Sequence, residues 1–176
     1  MFLSDITIRQ YLMEQKLKVV RNGEMYLPEI SDVNLQPASI DLHLGDTIIY
    51  VEHSTNVTCT IDDQYQYRLD PGEFVLGHTI EHIEIPDDLA GFFANRSSIG
   101  RKGLFTENAG FVDPGWKGQL TVELFNSSRY PISLIEGMPI GQILFVKMDR
   151  PVALPYGHPA RVSHYQNSVG TIPSRI

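Results

Sequence analysis

The turn chemistry of the second half of the chain constrains its fold more than any other feature. From residue 70 onward, short apolar segments are cut at fairly even intervals by Asp70-Pro71-Gly72, Pro86-Asp87-Asp88, Asp113-Pro114-Gly115, Lys117-Gly118, Asn126-Ser127-Ser128 and Glu136-Gly137. Proline presets the first central position of a turn, glycine accepts the left-handed one, and Asp or Asn closes local hydrogen bonds. Between the turns lie residues 74–76, 80–85, 120–125, 132–134 and 140–148, which read as strands. The pattern predicts an all-β sandwich or barrel.

The exception is the start of the chain. Ser4-Asp5 reads as a helix cap, and Ile8, Tyr11 and Leu12 recur at helical spacing, which predicts a short amphipathic helix ending near residues 15–18. Residues 19–33 are mixed in character, with Asn22-Gly23 as a turn signal. In Gln36-Pro37-Ala38-Ser39-Ile40-Asp41-Leu42-His43-Leu44-Gly45 the apolar residues alternate with Ser39, Asp41 and His43, the pattern of a half-buried strand, and residues 47–52 continue in β-rich character. Asp41 and His43 then face either solvent or a subunit contact beside a site. Residues 151–176 lose periodicity and read as a frayed end or as a closing arm, Tyr156, Arg161, His164, Tyr165 and Arg175 being costly residues for a fray.

Composition bounds the function. A chain of 176 residues, 42% hydrophobic, is expected to form one domain over residues 1–176. Its net charge of −7 argues against a general nucleic-acid binder, so a phosphate site must be local and built from a few arginines. The single cysteine, Cys59, excludes an intrachain disulfide and a Cys-based zinc cluster, and it suits a reducing compartment. No apolar run approaches the roughly 20 residues of a membrane helix, and Met1-Phe2-Leu3-Ser4-Asp5 has no signal-peptide character. The expectation is a cytoplasmic protein that engages neither membrane nor nucleic acid.

The chemically expensive residues concentrate between residues 96 and 123. Arg96-Ser97-Ser98-Ile99-Gly100-Arg101 offers two guanidinium forks and two hydroxyls around a glycine that admits a close backbone approach, a set suited to phosphate oxygens. It is equally compatible with a sulfate-sized anion site or a basic strand end. Asp113 opens a turn, a position Asp favours for structural reasons, and it could also hold a sugar hydroxyl or orient a water. In Gln119-Leu120-Thr121-Val122-Glu123-Leu124-Phe125, the residues Leu120, Val122 and Leu124 share the core face, so Thr121 and Glu123 point the other way. Glu123 is then either ordinary surface or, if a loop packs over that face, a partly desolvated general base.

These motifs, in order, resemble the dCTP deaminase family, which is related to the trimeric dUTPases. The resemblance runs through Leu3-Ser4-Asp5, residues 36–45, residues 96–101, Ala109-Gly110-Phe111-Val112-Asp113-Pro114-Gly115-Trp116, Val122-Glu123-Leu124, Gly137-Met138, Ile140-Gly141-Gln142, Pro155-Tyr156 and Pro173-Ser174-Arg175. It implies a dUTPase-like distorted jelly-roll β-barrel or sandwich with a short N-terminal helix, and a homotrimer with sites between subunits. It also implies hydrolysis of a deoxycytidine triphosphate without a catalytic metal. Mg²⁺ travels with the triphosphate and no zinc is expected, the paired H-x-E and P-C-x-x-C signature of zinc deaminases being absent.

By the same resemblance Glu123 corresponds to the general base that activates water for attack at C4 of cytosine and passes a proton to the leaving ammonia. Ser97 helps hold that water and Arg101 stabilises the tetrahedral intermediate. Arg96, Ser97, Ser98, Ile99, Gly100 and Arg101 form the nucleotide-binding loop. Asp113 contacts the deoxyribose, Thr121, Val122 and Glu123 line the base, and Gln142 and Tyr156 supply further contacts. His164 stands where the family commonly has lysine and Ser168 where it commonly has glutamine. The tail's grip on the phosphates is then weaker, or dependent on pH.

Ala109-Gly110-Phe111 resembles the bifunctional members, which take dCTP to dUMP, whereas the length from Arg96 to Asp113 is like that of dUTPases. Three functions follow. The first is a dUMP-forming dCTP deaminase serving dTTP precursor supply, with dTTP as a candidate inhibitor and monofunctional release of dUTP as its variant. The second is a dUTPase alone, with Asp113 activating a water for attack on the α-phosphate. The third is a nucleotide-sensing protein without turnover. The first accounts for Glu123 together with the whole set.

Overall fold

The computed structural model describes residues 1–52, 55–107 and 110–175. Helix α1 (Asp5–Met13) buries Ile8, Tyr11 and Leu12. It ends earlier than its periodicity suggests because Gln15 takes a left-handed backbone, φ 53°, and turns the chain into the first strand. The strands before the second helix are β1 (Lys18–Arg21), β2 (Glu24–Met25), β3 (Leu35–Gln36), β4 (Ser39–His43), β5 (Thr47–Glu52), β6 (Thr55–Thr60), β7 (Tyr67–Leu69), β8 (Phe74–Glu84) and β9 (Leu89–Asn95). After the one-turn helix α2 (Ser97–Gly100) come β10 (Leu104–Glu107), β11 (Phe111–Val112), β12 (Lys117–Asn126), β13 (Ile132–Leu134) and β14 (Pro139–Lys147).

Among the described residues these strands form two main antiparallel sheets. One runs β10-β12-β8-β1-β2, with β5 pairing β8 and β6 pairing β5; the other runs β11-β9-β14-β4-β3. A small β13-β7 pair is separate. The apolar faces of both sheets meet in one buried cluster that includes Leu120, Val122 and Leu124 of β12, Ile40 and Leu42 of β4, and Ile143 and Phe145 of β14. This is the expected all-β sandwich with a short N-terminal helix.

Two local differences have clear causes. Residues 74–84 form one strand rather than two because Gly77 does not break it; a Cβ there would lie 2.7 Å from Leu44 Cδ1, so the glycine makes room for packing between the sheets. Strand β6, which holds Cys59, is exposed and polar on alternate residues and therefore carries a weak apolar signal.

The ion cluster at Glu81 ties the sheets together. Its side chain is fully buried, and Oε1 accepts from Arg21 at 2.9 Å and from His43 Nδ1 at 2.8 Å. Oε2 accepts the His43 backbone N–H at 3.0 Å. A buried carboxylate is tolerable only with such full pairing, and His43 belongs to this interior cluster rather than to a solvated strand face.

Candidate active site

Strand β9 delivers the chain to Arg96, which is extended, and α2 then turns once with Ile99 buried beneath it. The turn rests on Asn95, whose Nδ2 donates to Leu104 O at 3.0 Å while its Oδ1 accepts from Thr106 Oγ1 at 2.7 Å. A Cβ on Gly100 would come within 3.3 Å of Asn95 Nδ2, so this glycine serves the packing of the loop on Asn95. Ser97, Ser98 and Arg101 remain exposed. Together with Arg96, Gln142 and Asp41 they line a cavity of about 680 Å³.

Arg96 is held from behind. Its Nη1 lies 2.7 Å from Asp41 Oδ2, and Gln36 Nε2 donates to the same oxygen at 3.0 Å. Asp41 itself is buried, which corrects the solvent-facing alternative for this residue. Across β4 and β14, Ser39 Oγ donates to Gln142 Oε1 at 2.7 Å and pins that amide. The arrangement presents guanidinium groups and hydroxyls on a fixed frame, as a phosphate site requires.

A second cavity, about 550 Å³, lies over the outer face of β12. Thr121 and Glu123 line it together with Asp113, Trp116, Tyr156 and Ser168. Asp113 sits on a tight turn closed by Trp116 N–H to Asp113 O at 3.1 Å, with Gly115 at φ 87° in the position that needs the left-handed region. The far wall is the C-terminal segment, which hydrogen-bonds to β12 of its own chain. Gln119 N–H donates to Ser168 O at 2.9 Å, Gly170 N–H to Gln119 Oε1 at 2.7 Å, and Ile172 N–H to Thr121 Oγ1 at 3.1 Å.

Glu123 is half-buried, and its Oε2 is shielded from solvent with no hydrogen-bond partner among the described residues. Burial holds its carboxyl above the ordinary range; its own backbone N–H acts the other way, and Glu107, directly opposite on β10, adds to the rise. A carboxylate left unsatisfied inside a cavity can accept a proton from a bound water.

Among the described residues the two cavities share no lining residue: Arg96, Ser97 and Arg101 line one, and Glu123 and Asp113 line the other. Gln142 lies with the arginines, whereas Thr121, Tyr156 and Ser168 lie with Glu123. Ile99 and Val122 direct their side chains into the core. His164 is exposed and lines neither cavity; its ring centroid is 6.2 Å from that of Tyr165. Ala109, the first residue of the Ala109-Gly110-Phe111 segment compared with the bifunctional enzymes, lies outside the described residues, as does Asn108. Sequence reasoning gave no site role to Gln36, and it placed Asp41 only as an alternative, at a subunit contact beside a site. Alternation placed Asp41 on the correct face, but nothing local reveals that Arg96, 55 residues away, covers it.

A family model described as dCTP deaminase-like matches residues 2–148. A protein of Sulfurihydrogenibium sp. (strain YO3AOP1) named "dCTP deaminase, dUMP-forming" is 37% identical over 100% of this chain and 97% of its own length. Another of that name from Mycolicibacterium smegmatis is 40% identical over 99% of this chain and 96% of its own. Among solved structures, the 2'-deoxycytidine 5'-triphosphate deaminase of Agrobacterium tumefaciens superposes with a TM-score of 0.66 at 24% identity, covering 84% of this chain and 48% of that one. A dUTPase from phage phi11 of S. aureus gives a TM-score of 0.54 at 19% identity over 77% of this chain and 93% of that one. The chain thus spans about half the length of the Agrobacterium protein, and these two likenesses establish the fold.

Proposed function

The chain belongs to the dCTP deaminase-like family, and from that premise we propose that it deaminates dCTP at C4 of cytosine and carries the product on to dUMP and pyrophosphate. The observation that carries the reading is Glu123, a carboxylate with one oxygen shielded and unpartnered inside a cavity. In the proposed reaction Glu123 takes a proton from water as the oxygen bonds to C4, and returns it to the departing ammonia as the C4–N bond breaks. The second water proton ends on N3 as C4 becomes the carbonyl of uracil. Ser97 holds the water, and Arg101 stabilises the charge that develops on the intermediate. Asp113 holds the deoxyribose, and in the second hydrolysis a water oxygen bonds to the α-phosphorus as its bond to the bridging oxygen of the β-phosphate breaks, with pyrophosphate as the leaving group.

The working enzyme is proposed to be a homotrimer whose site is shared between subunits. One cavity carries arginines and hydroxyls, and the other carries Glu123 with no cationic side chain in its lining among the described residues. The first lacks Glu123 and the second lacks a cation, so each supplies a group the other is without. Phe105, Phe125 and Phe74 stand opposite one another across β10, β12 and β8, all exposed, beside the Glu123 cavity. Such a row of exposed rings is suited to burial by another copy.

Residues 1–176 are read as one domain, with the last part as a closing arm beyond the family match. Mg²⁺ enters with the triphosphate as part of the substrate, and its charge offsets that of the phosphates. Among the described residues no helix is long and apolar enough to cross a membrane, and the protein is read as cytoplasmic. Incubation with dCTP and Mg²⁺ followed by separation of the nucleotides tests the function. dUMP without accumulated dUTP is expected; persistent dUTP removes the second step, and turnover of dUTP but not dCTP removes the first.

A further inference from the structure

We propose that Gln166 is a positioning residue that locks the closing arm to the Asp113 turn, so that seating the arm sets the geometry of the sugar contact. The inference rests on the proposed function for its catalytic consequence, and on the geometry alone for the lock.

The Gln166 amide is used at both ends. Its Oε1 accepts the Lys117 backbone N–H at 3.0 Å, and its Nε2 donates to Gly115 O at 3.0 Å and to Tyr156 O at 3.3 Å. One side chain therefore joins three segments: the distal limb of the arm, the proximal limb at Tyr156, and both ends of the Gly115–Lys117 stretch that follows Asp113. Among the described residues no other side chain bonds to all three.

The surrounding contacts leave little slack. Tyr156 N–H donates to Pro114 O at 2.8 Å and Asn167 N–H to Lys117 O at 2.8 Å. Tyr165 N–H donates to Tyr156 Oη at 3.0 Å, closing the arm on itself. Two left-handed glycines make the approach possible. A Cβ on Gly157 (φ 86°) would lie 2.5 Å from Gln166 Nε2, and one on Gly115 would lie 2.4 Å from Pro155 Cβ.

The consequence for the cavity is direct. Tyr156, Tyr165 and Ser168 of the arm line it together with Asp113 and Trp116 of the turn. If the amide is lost, the limbs separate from the turn, water enters, and the Asp113 carboxylate is no longer held against the proposed sugar. A misplacement of about 1 Å in a positioned group can cost roughly a hundredfold in rate.

Gln166→Leu removes all three hydrogen bonds. Gln166→Glu keeps the acceptor for Lys117 N–H but sets a carboxylate oxygen against the carbonyls of Gly115 and Tyr156, and protonation restores one donor. The chain's single tryptophan, Trp116, is buried in the turn and reports on its state by emission, while trypsin cleavage after the exposed Arg161 reports on the arm. Both variants are expected to fold, to shift Trp116 emission to the red, and to be cut faster after Arg161. For Gln166→Glu the red shift should reverse on acidification through the carboxylate range, a response that loss of packing alone does not produce. With dCTP, kcat/KM should fall by about tenfold to a hundredfold, with KM carrying part of the loss.

Wild-type emission and trypsin rates in both variants would overturn the lock. A loosened arm with wild-type kinetics would overturn the coupling to the sugar contact. If the wild-type protein turns over neither dCTP nor dUTP, the functional reading fails, and emission together with proteolysis alone decides the lock.

Discussion

Asp41 Oδ2 lies 2.7 Å from Arg96 Nη1, which joins a buried carboxylate of β4 to the first residue of the loop that carries Ser97, Ser98 and Arg101. The pair makes the orientation of Arg96 a property of the sandwich rather than of the loop. Asp41→Asn keeps the size of the side chain and removes the charge. It should lower stability by about 1–3 kcal/mol, the scale for losing a hydrogen bond to a charged group, as read from urea unfolding. In kinetics the change should raise KM for dCTP more than it lowers kcat, because a misdirected guanidinium weakens the grip on phosphates in ground and transition states alike.

Glu123→Gln should lower deamination by at least about a hundredfold. Its effect on stability should have the opposite sign. The folded-state pKa of Glu123 is raised by burial, so the folded chain retains a proton that the unfolded chain loses as pH rises above about 4.5. Stability is lost on that rise, and the neutral glutamine avoids the loss. The variant should therefore match wild type near pH 4 and exceed it at pH 7–8 in thermal unfolding. Near-normal deamination by the variant would remove Glu123 as the base.

The composite site predicts complementation. Arg101→Ala and Glu123→Gln disable different cavities, so each alone should be inactive, whereas trimers assembled from both should regain a measurable fraction of dCTP turnover. Mixing after joint unfolding and refolding tests this; a mixture as inactive as its components would place both residues in one subunit's site.

Phe125 stands at the centre of the exposed phenylalanine row. Phe125→Asp sets a charge where another copy is expected to pack, and light scattering should show smaller particles than wild type. Deamination should disappear with the assembly. A full-size assembly with full activity would move the subunit contact elsewhere.

His78, buried and hydrogen-bonded to Thr171 of the C-terminal segment, makes stability depend on acid through its burial. Its Nδ1 lies 2.9 Å from Thr171 Oγ1, which donates to Thr47 O at 2.6 Å, so Nδ1 carries the proton and Nε2 faces Asp46 at 3.8 Å. Burial lowers the imidazole pKa, outweighing the opposing pull of Asp46. The unfolded chain thus takes up a proton below about pH 6.5 that the folded one resists, and stability is lost as pH falls through that range. Wild type should lose melting temperature between pH 7.5 and 5.5, and His78→Asn should lose less. Equal slopes would remove His78 from the acid response.

Much of the fold was legible locally. The burial of Leu120, Val122 and Leu124 against half-buried Thr121 and Glu123 follows from the two-residue period of a strand. The Asp113 turn follows from proline and glycine at the positions that need them. The packing of the C-terminal segment was not legible, because Gln166, Ser168 and Thr171 find their partners at Gly115, Gly118 and His78, far away in sequence.

By itself, the sequence determined the helix at its start, the main turns, the strand character of residues 39–43, 47–52 and 120–125, and which face of β12 carries Glu123, since backbone sterics and side-chain alternation act over a few residues. Only the tertiary structure decided that Asp41 is buried under Arg96, that Glu123 is left with an unpartnered oxygen, and that the arginines and Glu123 occupy separate cavities of one chain. Desolvation and ion pairing depend on what packs over a residue from distant parts of the chain, and no local pattern encodes that neighbour.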